Sequence, residues 1–144
     1  MDLDQIPVLQ LGGMSVEFTM LALAIVLGFV HLFLAVQAIT SERGTAWNVG
    51  ARDNTPPLRG RLAGRLDRAF ANFKETFPFF AAAVLMAAAL GRHNWMTVGG
   101  AELYLAGRIV YLPLYALGIP VIRTLVWAAA TIGIVLILIA LFFP

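Results

Sequence analysis

Apolar residues fall in four long runs, at positions 16–40, 69–90, 97–117 and 119–143. A bilayer core about 30 Å thick takes about 20 helical residues, and each run supplies that. The runs are continuous, without the period-two alternation of a barrel strand, so helices are expected. The predicted fold class is all-α: a polytopic membrane four-helix bundle forming a single domain over 1–144. Gly118 is placed to end the third helix and Pro120 to start the fourth.

The polar positions inside these runs change the picture. An ionisable group within a span is expensive and tends to face protein or a polar cavity. In RAFANFKETFP, Arg68, Asn72 and Glu75 stand at i, i+4 and i+7, within about 60° of one another on a helix. Lys74 falls off that stripe and is free to snorkel. Pro78 removes a backbone donor just beyond it. Singly, each residue fits an interhelical network or an interfacial site. Three on one face argue for a shared partner.

The third run repeats the pattern. Tyr104, Arg108, Tyr111 and Tyr115 share one stripe, with a cation near mid-span. Arg108 is expected to seek a carboxylate, with Glu75 the first candidate and Glu102 the second. Arg123 and Trp127 are i, i+4 at the start of the fourth run. His31, in the middle of the first, is expected to hydrogen-bond between helices. Gln37 is expected to cap or bridge, Glu17 to be interfacial, and Arg43 to follow the end of the first helix, where a cation suits the dipole.

Composition agrees: 60% of residues are hydrophobic and 12% charged, far from a soluble domain. There is no cysteine, which excludes disulfides, thiolate metal sites and a catalytic thiol of the chain's own. Two distant histidines leave no expected metal site. The linker 41–67 carries Arg43, Arg52, Arg59, Arg61 and Arg65 against three acids, which places it in the cytoplasm. Both termini are then expected on the other face. The acidic start, MDLDQIPVLQ, lacks a basic n-region, so the first run is expected to be a retained helix. The result is a cytoplasm-facing pocket rich in arginine and tyrosine, suited to a small anionic zwitterion with an apolar molecule beside it.

R-x-x-x-N-x-x-E-x-x-P in RAFANFKETFP, then R-x-x-Y-x-x-x-Y in RIVYLPLY and a further arginine, resembles the MAPEG family of membrane-associated proteins in eicosanoid and glutathione metabolism. The resemblance covers nearly the whole chain. It implies a homotrimer that binds glutathione as co-substrate between subunits, without a metal. On matching positions, Arg68, Asn72, Glu75, Arg108, Tyr111, Tyr115 and Arg43 would hold glutathione, and Arg123 would be catalytic, activating the thiol. Tyr111 and Tyr115 match the pair of the leukotriene C4 synthase branch. The implied function is a glutathione-dependent transferase or peroxidase acting on lipophilic electrophiles or lipid hydroperoxides. The alternative is a non-enzymatic lipid-binding or accessory membrane protein. Implied partners are membrane lipids, a lipophilic small molecule and further copies of the chain, with no nucleic acid. A bacterial inner membrane is the expected location.

Overall fold

In a computed structural model describing residues 13–143, the chain forms five α-helices. They are α1 (Val16–Arg43), α2 (Thr45–Val49), α3 (Arg61–Ala89), α4 (Trp95–Leu117) and α5 (Pro120–Phe142). The acidic N-terminal segment and Pro144 lie outside the described residues. By length and composition alone, α1 and α5 are apolar enough to cross a membrane. The ionisable groups of α3 and α4 interrupt their apolar runs.

The packing order explains where those charges go. α4 lies along α5, α1 lies along α3, and α3 meets α4, while α1 and α5 do not touch. The two charged helices are therefore central and the two unbroken apolar ones flank them. In α3 the inward positions are Ala63, Leu66, Ala69, Phe73, Thr76, Phe80, Ala83 and Ala87, at helical spacings of three and four. Outward positions of α1 and α5, such as Phe33 and Leu125, stay exposed, as lipid or another subunit would require.

Helix α3 begins at Arg61, so residues 61–67, expected in the linker, are helical. Ala63 and Leu66 continue its buried stripe, and this burial outweighs the local charge. Residues 45–49 form the short helix α2, so the linker is also less irregular than expected. The remaining loop is tied back to α1. Arg43 Nε donates to the Pro56 carbonyl at 2.8 Å, and the Arg59 amide donates to Glu42 at 2.9 Å.

Helix ends follow their local chemistry. Ser15 caps α1, and Asn94 forms a reciprocal capping box with Thr97 at the start of α4. Gly118 ends α4 in a left-handed conformation (φ 77°, ψ 31°) and Pro120 opens α5, as their spacing predicts. Helix α3 runs unbroken through Pro78. Glu17, expected at an interface, is instead buried. It accepts from Thr97 Oγ1 at 2.7 Å and lies 3.3 Å from His93 Nδ1. This contact joins the start of α1 to the start of α4.

Candidate functional site

The site is assembled on one end of the central pair, α3 and α4, with α5 closing one side. A cavity of about 200 Å³ is lined by Asn72 of α3, Tyr111 and Tyr115 of α4, and Arg123, Thr124 and Trp127 of α5. Five residues singled out in the sequence, Asn72, Tyr111, Tyr115, Arg123 and Trp127, thus meet around one space. Arg123 sits over the Tyr115 ring, 4.3 Å from its centroid, and Tyr115 tilts against Tyr111 at 5.4 Å. The Arg123 guanidinium is thus held against an aromatic face, and it makes no ion pair among the described residues.

Behind the cavity, Arg108 is fully buried. Its Nη1 donates to Asn72 Oδ1 at 2.8 Å and its Nη2 donates to Thr76 Oγ1. The faces of Tyr104 and Tyr111 lie 5.6 and 5.2 Å from its guanidinium carbon. The expected carboxylate is missing: among the described residues neither Glu75 nor Glu102 pairs with Arg108. Glu102 is exposed. Glu75 lies on the far side of Asn72 from Thr76, because i+3 and i+4 flank a helical position on opposite sides. Asn72 bridges the two, its amide nitrogen 3.4 Å from Glu75 Oε2.

This chain of contacts sets the amide's orientation. Arginine offers only donors and a carboxylate only acceptors. Asn72 must therefore turn its oxygen to Arg108 and its NH₂ to Glu75. With no exposed surface, Arg108 orients Asn72 and does not reach into the cavity. Thr76, which the stripe argument omitted, is the second acceptor for Arg108 and also meets Tyr104 Oη at 3.3 Å. Its signal was present in the sequence: it stands four residues beyond Asn72, one helical turn along the face that meets Arg108.

The remaining candidates divide by position. Arg68 and Glu75 are exposed on the outer side of α3, so the charged ends of the stripe point away from the protomer's own core. Arg43 is not brought to the cavity. It lines a separate pocket with Glu42, Pro56, Pro57, Arg59 and Gly60, and stacks on Trp47 at 4.5 Å. Lys74 lies over Phe70 at 4.5 Å, outside the cavity. His31, expected to bond between helices, stacks on Phe73 at 4.9 Å instead. Neither of its ring nitrogens has a partner among the described residues. Those residues also hold no cluster of His, Cys, Asp or Glu able to bind a metal ion.

The sequence model of the MAPEG family matches residues 20–143, which include all five helices except the first turn of α1. The chain belongs to the MAPEG family. No curated protein matches it. As a MAPEG protein it is an integral membrane protein. Its buried arginine on α4 and Asn72 and Glu75 of the α3 stripe are joined by hydrogen bonds within an apolar bundle.

Proposed function

We propose that this MAPEG protein is a membrane-bound glutathione-dependent enzyme, a transferase or peroxidase acting on lipophilic substrates. The observation that carries the reading is the convergence of Asn72, Tyr111, Tyr115 and Arg123 on one cavity. Glu75 would receive the ammonium group of glutathione, and Arg68 a carboxylate. Asn72, fixed by Arg108, would bond the peptide. Arg43 lies in a different pocket, so it would serve the site of a neighbouring copy, and three copies would complete three sites. All four long helices would cross a bacterial inner membrane, with both termini outside and the site at the cytoplasmic face.

In this reading Arg123 faces the thiol. A free thiol titrates at about 8.5, and a close cation favours the thiolate by about one to three units. At neutral pH a shift of about two units makes the thiolate the major species. The thiolate would attack an electrophilic carbon, forming a C–S bond as the leaving group departs with its electron pair. With a hydroperoxide it would attack the outer oxygen, giving an alcohol and a sulfenic acid. A second glutathione would then convert the sulfenic acid to disulfide and water.

Turnover tests the reading. Purified protein should consume glutathione in the presence of a lipophilic electrophile or a lipid hydroperoxide. Arg123→Ala should lower the rate at pH 7 by about tenfold or more and move the rise of rate to higher pH. Glutathione that binds without being consumed, across both substrate classes, would favour the non-enzymatic alternative.

A further inference from the structure

Arg65 sits one turn before Arg68 on α3 and reaches the turn between α4 and α5. Its Nη1 donates to the Ala116 carbonyl at 3.1 Å. That carbonyl has lost its usual helical donor, because the residue four positions on is Pro120, which has no N–H. The neighbouring carbonyls of Leu114 and Tyr115 are satisfied by the amides of Gly118 and Ile119. The same guanidinium lies against Gly118. A Cβ at that position would collide with its carbon and both terminal nitrogens. Gly118 is favoured by its positive φ, and a Cβ there would push the Arg65 guanidinium aside.

Tyr115 lies on the last turn of α4 and Arg123 on the first turn of α5. They face each other across the turn that Arg65 holds. We infer that Arg65 is a positioning residue for Arg123, pinning the α4–α5 turn so that the Arg123 guanidinium stays over Tyr115 at the cavity. The inference rests on the glutathione reading given above. Lysine at this position could reach one carbonyl oxygen but could not also fill the space beside Gly118 with a planar group.

Two measurements on wild type, Arg65→Ala, Arg65→Lys and Gly118→Ala test it. The first is amide hydrogen exchange in the ligand-free protein. Arg65→Ala should speed exchange at residues 116–124 and leave residues 97–112 unchanged, with Arg65→Lys intermediate. Gly118→Ala should do the same by displacing Arg65, and adding it to Arg65→Ala should give less than the sum. The second is the pH titration of the thiolate of bound glutathione, with affinity measured alongside. Arg65→Ala should raise the midpoint by about one unit, a tenfold fall in the thiol's acid dissociation constant, while affinity changes by less than about threefold because Arg68, Asn72 and Glu75 remain.

Unchanged exchange would overturn the pin. Faster exchange with an unmoved thiol midpoint would reduce Arg65 to a structural part and overturn the positioning role. Parallel loss of affinity and thiolate would mean that Arg65 touches the ligand itself. Wild-type protein that binds no glutathione would overturn the functional reading and the positioning role with it, while exchange alone still decides whether Arg65 holds the turn.

Discussion

At the scale of single residues, the site depends on how a buried cation is accommodated. Among the described residues Arg108 makes no ion pair and is held by an amide, a hydroxyl and two aromatic faces. Removing either hydrogen-bond acceptor leaves a second buried nitrogen of this cation without a partner, beside Nε, at a cost of about 1–3 kcal/mol or more. Thr76→Val keeps the shape and removes the hydroxyl. It should lower stability by that amount in thermal unfolding of the detergent-solubilised protein, and an unchanged midpoint would refute the network. Arg68, Asn72 and Glu75 were legible as one stripe because helical geometry follows directly from spacing. Thr76, the second acceptor of Arg108, was harder to single out: its spacing from Asn72 marks the right face, but a threonine inside a helix carries no charge to draw attention to it. His31 shows the converse: its polarity suggested a hydrogen bond, and tertiary packing supplied an aromatic ring.

At the scale of elements, the placement of the site depends on how closely α4 and α5 approach. A Cβ on Gly107 would lie 2.9 Å from Ala130 Cβ, and one on Gly100 would lie 2.5 Å from the Gly133 carbonyl oxygen. Gly107→Val should therefore overpack the contact and cost about 1–3 kcal/mol. Gly99→Ala, where a Cβ meets nothing within 4 Å, should be neutral or stabilise by about 0.5–1 kcal/mol. Thermal unfolding of the two variants side by side checks the crossing. Four long helices and the Gly118–Pro120 turn could be read in advance, since both follow from run length and from the backbone limits of glycine and proline. The start of α3 could not. Residues 61–67 are too charged to join an apolar run, and only the burial of Ala63 and Leu66 against neighbouring helices shows why they are helical.

At the scale of the whole molecule, one protomer brings Asn72, Tyr111, Tyr115 and Arg123 to one cavity but not Arg43. If a neighbouring copy supplies that arginine, neither Arg43→Ala nor Arg68→Ala assembled alone should have an intact site. Assemblies mixed from the two variants should regain some, because one interface then combines an intact Arg43 with an intact Arg68. Glutathione binding by co-expressed variants, at unchanged complex mass, is the expected outcome. No recovery would place the whole site within a single chain. The exposed apolar residues of α1 and α5 set the limits of such an assembly: those not covered by another copy must face lipid, since lone exposed side chains are ordinary but whole apolar helix faces are not.

On the proposed function, the α3 stripe and the adjoining cavity bind glutathione. Calorimetric titration of glutathione into the purified protein in detergent tests it most directly, with Glu75→Ala measured beside wild type. The expected result is saturable binding by wild type, weakened about tenfold or more in Glu75→Ala by loss of a charge-assisted hydrogen bond. Absence of binding by folded wild-type protein, or equal affinity in both, would contradict the account.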